Sequence, residues 1–124
     1  MRTKVPARGS GRLDFLQGTL EMLILRTLLL GKRHGYGIAQ SIRQNSRDAL
    51  LIEAGSLYPA LQRLELRKLI SAKWDISETG RRARFYTLTA AGRRKLSTRM
   101  SSWEEFVTAV GRVLNPRNSA EQEG

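Results

Sequence analysis

Arg81, Arg82 and Arg84 fall in the stretch SETGRRARFYTLT (residues 77 to 89), at a point where the chain is expected to reverse. Ser77, Glu78, Thr79 and Gly80 are turn formers, and ARFYTL after them has the aromatic and β-branched content of a strand. Three guanidinium groups at such a tip, with no acid expected close by, suit phosphate oxygens or a DNA minor groove. A solvated turn is the plain alternative. A second set lies in GSLYPALQRLELRKLI: Tyr58, Gln62 and Arg63 on or beside an exposed helix side, Ser56 at its start and Lys68 near its end. Gln and Arg are the usual bidentate readers of adenine and guanine edges. The competing reading is a helix face in water.

Catalytic chemistry finds little support. The chain has no cysteine, which removes disulfides, thiolate zinc sites and a cysteine nucleophile, and it has a single histidine, His34. No paired carboxylates, nucleophile with a base or glycine-rich phosphate loop stands out. We therefore expect no enzyme, no metal and no cofactor, with His34 a polar residue in the turn before a helix. The 124 residues carry 22 basic and 11 acidic side chains, a net charge of +11. That excess describes partners more than fold and points first to nucleic acid, then to an anionic membrane surface. The longest apolar stretch, LEMLILRTLLL, is interrupted by Glu21 and Arg26 and is too short to cross a bilayer. With no signal core evident, a cytoplasmic protein is expected.

These residues need elements to carry them. Residues 1–12 hold four basic residues and no acid, and read as a disordered arm. LQGTLEMLILRTLLLG reads as a central core helix starting at Gly18 or Thr19 and closed by Gly31. A second helix is expected over about 36 to 46, and DALLI (48 to 52) as a short extended piece. The third helix should bury Leu57, Leu61, Leu64 and Leu69, with Ser56 or Gly55 near its N-cap so that Pro59 falls in the first turn. LISAKWDI and ARFYTLT form a half-buried hairpin in which Arg82 and Arg84 point together, Phe85 points opposite, and Lys73 lies across the hairpin as a further cation. Three helices and a hairpin, mainly α with a small β component, give the winged helix-turn-helix plan. There the third helix enters the major groove and the hairpin reaches backbone or minor groove. The DNA-binding unit spans 13–89.

A last helix, 90–114, should start after Thr89 and stop at Asn115-Pro116, leaving 115–124 as a flexible tail. Leu96, Met100, Trp103, Val107, Val110 and Leu114 recur at gaps of 4, 3, 4, 3 and 4, the seam of a paired helix, so we expect a homodimer. The basic run GRRKLSTR (92 to 99) is expected on the far face of that helix. In a symmetric dimer Trp103 would meet its copy or the partner's first helix near the axis, and facing indoles can sandwich a flat aromatic. The seam alone also explains an apolar residue there.

GTLEMLILRTLLLGKRHGYGIAQSI, GSLYPALQRLELRKLI and SETGRRARFYTLTAAGRRKL together resemble the PadR family of bacterial transcriptional regulators, over roughly residues 14 to 114. The resemblance implies a winged-helix DNA-binding domain with a single C-terminal dimerisation helix, as in short-tailed members. It also implies repression at a palindromic operator in the bacterial nucleoid, in some members relieved by a small aromatic effector. Tyr36 in HGYGIA resembles a family position whose hydroxyl reaches a phosphate; packing of its ring on the third helix is the alternative. Glu53 departs from the family's Ser or Asn ahead of GSLYP, and its charge sets it apart from the residues expected on DNA. The second function weighed is a winged-helix interaction module for an acidic protein, which steeply salt-dependent binding to a palindromic duplex would exclude.

Overall fold

The computed structural model describes residues 10–116, with side chains from residue 18 onward. Seven elements follow in order: α1 (Ser10–Leu28), β1 (Arg33–His34), α2 (Gly35–Asn45), α3 (Ala54–Leu66), β2 (Ile70–Ile76), β3 (Arg82–Leu88) and α4 (Ala90–Leu114). The strands form one antiparallel sheet in the order β1-β3-β2. Helices α1 to α3 with this sheet make the winged helix-turn-helix, and α4 leaves it along α1.

Helix α1 begins at Ser10, earlier than the sequence suggests, so the end of the expected arm is helical; residues 1–9 and the tail from 117 lie outside the described residues. It ends at Leu28 rather than running to Leu30, and Gly31, at φ +141°, takes a backbone conformation that side chains disfavour. Leu20, Ile24, Leu25 and Leu28 are buried, joined by Ile38, Leu57, Leu61, Leu64, Ile70 and Tyr86 from the elements around it. A helix packed on nearly every side has no room for a polar stripe, which explains its near-uniform apolar sequence.

His34 caps α2, its Nδ1 accepting from the Gly37 N–H at 3.0 Å, and also pairs with Phe85 in the short strand β1. DALLI makes no strand; Arg47 and Asp48 turn through left-handed conformations and the chain crosses to α3 as a loop. Helix α3 is capped by Glu53, one turn earlier than Ser56, with no side-chain hydrogen bond. Pro59 is consequently inside the helix, leaving the exposed Gly55 carbonyl without its usual donor. The stripe Leu57, Leu61, Leu64 is buried as expected, and Leu69 joins it from beyond the helix. The turn closing α3 places Lys68 at φ 62°, with the Leu69 N–H on Leu64 O and the Lys68 N–H on Glu65 O, a Schellman arrangement normally built on glycine.

The start of α4 matches expectation. Thr89 accepts from the Gly92 N–H at 3.0 Å, and its hydroxyl donates to Lys68 O at 2.8 Å, tying the helix to the end of α3. Gly92 packs directly on the Leu69 carbonyl, where any Cβ would collide. Among the described residues no helix is long and apolar enough to cross a membrane.

Candidate nucleic-acid interface

At 100° per residue, α3 presents Gly55, Pro59, Gln62 and Leu66 along one outward line opposite its buried stripe. All four are exposed, Leu66 at 76%. The flanks are committed elsewhere. On one side Arg63 turns to α1, its Nε 2.8 Å from Oε2 of Glu21. On the other, Glu65 holds Arg84 of β3 at 2.8 Å, and Tyr58 lies so close to Gly35 that a Cβ there would meet its hydroxyl. Ser56 is exposed on the Arg63 side, and Lys68 lies past the helix end. Gln62 and Arg63, neighbours in sequence and equal as candidates, therefore have different surroundings.

Glu21 is buried, its side chain 8% exposed, and also reaches Arg67 at 3.2 Å and Arg99 at 3.5 Å. One carboxylate thus joins α1, the end of α3 and α4. Arg99, in the run expected on the far face of α4, instead points inward and also donates to Gly18 O at 3.3 Å. Sequence inspection saw Glu21 only as an interruption of an apolar run; the signal that could have found it is a lone acid in a stretch otherwise fit for burial.

The hairpin projects from the body as a wing. Its turn is closed by the Ser77 N–H on Arg81 O at 2.8 Å and the Gly80 N–H on Ser77 O at 2.9 Å, with Gly80 at φ +84°. Register pairs Trp74 with Arg84 and Ile76 with Arg82, so these four share the face that covers the core at the hairpin's base. Arg82 and Arg84 do point together, opposite Phe85, but two expectations change. The hairpin is half-buried only near its base, because Trp74 (54% exposed) and Ile76 extend past the domain body. Lys73 pairs with Phe85 on the other face and does not join the arginines.

The three arginines also differ among themselves. Arg84 has an acid beside it, contrary to expectation. The guanidinium of Arg82 lies over the Trp74 ring, 4.7 Å from its centroid. Arg81, at the turn, has no side-chain partner among the described residues. Phe85 on the opposite face is covered by the edge of His34 at 5.2 Å and by Lys32 at 5.6 Å.

Between the wing, the start of α2 and α3 lies an open groove of about 1040 Å³, lined by Tyr36, Tyr58, Trp74, Arg81, Arg82 and Arg84 among others. Tyr36 is 68% exposed, so its ring is not packed on α3. Arg33, which sequence inspection passed over, also borders the groove, and its buried Nε finds no acceptor among the described residues. Glu78 is the one acid in this lining. Tyr86 at the base has its phenol pushed above the ordinary value, by burial first; Glu65 and Tyr58 act in the same direction and Arg84 opposes them.

The expected seam on α4 divides. Leu96 is 3% exposed and belongs to the domain core, where it closes the helix onto the body. Met100, Trp103, Val107 and Leu114 are exposed, and Val110 is partly covered. Phe106 and Val113, omitted by a strict four-three count, widen the apolar face. Trp103 and Phe106 have ring centroids 6.2 Å apart and border a cavity of about 290 Å³ against Gly18, Thr19 and Met22 of α1.

The model of the transcriptional regulator PadR-like family matches residues 24–98. An uncharacterized protein X of Lysinibacillus sphaericus is 36% identical over 95 residues, 76% of this chain and 86% of that one. Transcriptional regulator Rv3488 of Mycobacterium tuberculosis is 30% identical over 97 residues, 78% of this chain and 87% of its own length. The crystal structure of a PadR family transcriptional regulator from Eggerthella lenta superposes with a TM-score of 0.69 at 31% identity, over 85% of this chain and 89% of that one.

Proposed function

The chain belongs to the PadR-like family of DNA-binding transcriptional regulators, and from that premise we propose that it acts as a homodimeric repressor at a palindromic operator in the bacterial nucleoid. The outward line of α3 enters the major groove, with Gln62 reading a base edge and Ser56 at the helix start against the backbone. The wing, through Arg81, Arg82 and Arg84, lies on phosphates or in the adjacent minor groove. Tyr36 and Tyr58 border the groove between the two elements, where a strand of the duplex passes. Lys73, on the wing's outer face, and Arg63, held by Glu21, contribute charge at the periphery.

The observation that carries this reading is one concave groove whose lining joins the arginines of the wing to Arg33, to Tyr36 of α2 and to Tyr58 of α3. Phosphate contacts position a protein on DNA and base contacts specify the sequence, and the two kinds of side chain are separated here by element. The second copy docks through Met100, Trp103, Val107, Val110 and Leu114, with Leu96 bracing the helix from the body side. A flat aromatic effector at Trp103 completes the reading, since the indole, Phe106 and α1 border an apolar cavity large enough for a small ring system.

The test is selection of duplexes from a random pool by the full chain, then titration of the selected and a scrambled duplex across a salt series. We expect an inverted repeat to emerge and affinity to fall steeply with salt. Selection of no sequence, or affinity indifferent to salt, would remove the reading. For the effector, Trp103 emission and operator affinity should change together when a flat aromatic is added.

A further inference from the structure

We propose that Trp74 is the positioning residue of the wing: its indole holds the Arg82 guanidinium over its ring and drawn back from the tip, poised for a DNA phosphate. This rests on the reading that the wing meets the DNA backbone.

Core packing does not account for Trp74. It follows Ile70 and Ala72 on the inner face of β2, but at its level the hairpin has left the body and the residue is 54% exposed. An exposed tryptophan on a strand that ends in a basic turn needs another reason. Arg82 supplies it, with its cation 4.7 Å from the ring centroid. The contact uses the ring face and none of the guanidinium's hydrogen-bonding capacity toward an acceptor, so its N–H groups are still available to donate to phosphate oxygens.

The other two wing arginines are held differently. Arg84 is oriented, but Glu65 at 2.8 Å offsets its charge. Arg81 keeps its full charge, but no side chain among the described residues orients it. Arg82 alone is oriented by a neutral group and so retains its charge toward an anion. An arginine held in one geometry before binding loses less rotamer freedom when the complex forms, and that difference appears as affinity.

The experiment uses the full chain and a mixed-sequence duplex, because binding to phosphate does not depend on sequence. Arg82→Ala should weaken binding and reduce the magnitude of the log K against log salt slope by about 0.9 for each phosphate that is no longer neutralised. Trp74→Ala and Trp74→Leu should each weaken binding by about two- to five-fold per protomer, the range of an exposed cation–π interaction, and Trp74→Phe should recover most of that affinity. In the Arg82→Ala background, replacing Trp74 by Ala or Leu should weaken binding no further. Equal effects in both backgrounds, or wild-type binding by Trp74→Leu, would show a residue that merely braces the hairpin and would overturn the proposal. Trp74→Leu and Trp74→Phe keep apolar bulk, so they decide the matter even if the alanine variant folds poorly. An unchanged slope and affinity for Arg82→Ala would remove the wing reading itself, and this inference with it.

Discussion

Gln62 and Arg63 adjoin in the chain, and their surroundings predict different phenotypes. Gln62 stands exposed on the outward line of α3 with no side-chain partner among the described residues, so Gln62→Ala should leave folding intact. It should lower the ratio of specific to non-specific DNA affinity by ~1–3 kcal/mol, measured on selected and scrambled duplexes. Arg63 is bound to a buried acid, and its removal should appear first in thermal stability. Tyr86 offers a pH test. Its phenol titrates above the ordinary value of 10.0, mainly because burial disfavours the phenolate. Above pH 10 the unfolded chain therefore gives up this proton first, and stability contributed by the neutral phenol declines as pH rises through the folded value. Tyr86→Phe should show a shallower loss of stability in that window, followed by denaturant titration of both proteins.

Between elements, Glu21 is the junction. Removing one partner from a buried ion pair leaves uncompensated charge, and here Arg63, Arg67 and Arg99 would be left together. Because water reaches those half-exposed guanidinium groups, Glu21→Ala should cost ~1–3 kcal/mol of unfolding free energy, read by urea denaturation. A cost below about 1 kcal/mol, the range of an exposed pair, would show that water screens the cluster. Gly92 makes a second junction. A methyl there would press on the Leu69 carbonyl and on Leu88, and overpacking of this kind typically costs ~1–3 kcal/mol, so Gly92→Ala should lower the melting temperature without altering exposed surface.

For the molecule as a whole, the apolar face of α4 and the net charge of +11 are the governing quantities. Val107 is 47% exposed in the single chain, and burial of such groups is worth ~25 cal/mol per Å² of apolar area removed from water. Val107→Glu should therefore give a folded monomer by sedimentation, since the side chain is not part of the domain core. A variant that sediments as a stable dimer would place the interface elsewhere. In the proposed dimer the half-sites should be centred ~34 Å apart, one helical turn, if both copies of α3 enter successive major grooves.

The sequence by itself determined the four helices and the hairpin in their order, the buried stripe of α3, the cap at Thr89, the end of α4 and the family, because these depend on local periodicity and short-range hydrogen bonds; it did not show the short strand β1 and put an extended piece at DALLI where the chain is a loop. It also placed Arg82 and Arg84 on one face, since strand alternation has a period of two. It misplaced the start of α3, because Pro59 suggested a later cap than the one tertiary packing imposed. It could not separate Arg63 from Gln62, put Lys73 on the outer face, assign Leu96 to the domain rather than to the seam, or see that Glu21 gathers three arginines. Those outcomes depend on which distant residue lies opposite: Glu21 and Arg63 are 42 positions apart in the chain. Periodicity says that a side chain faces inward or outward, and only the packed arrangement of helices and wing decides what it faces.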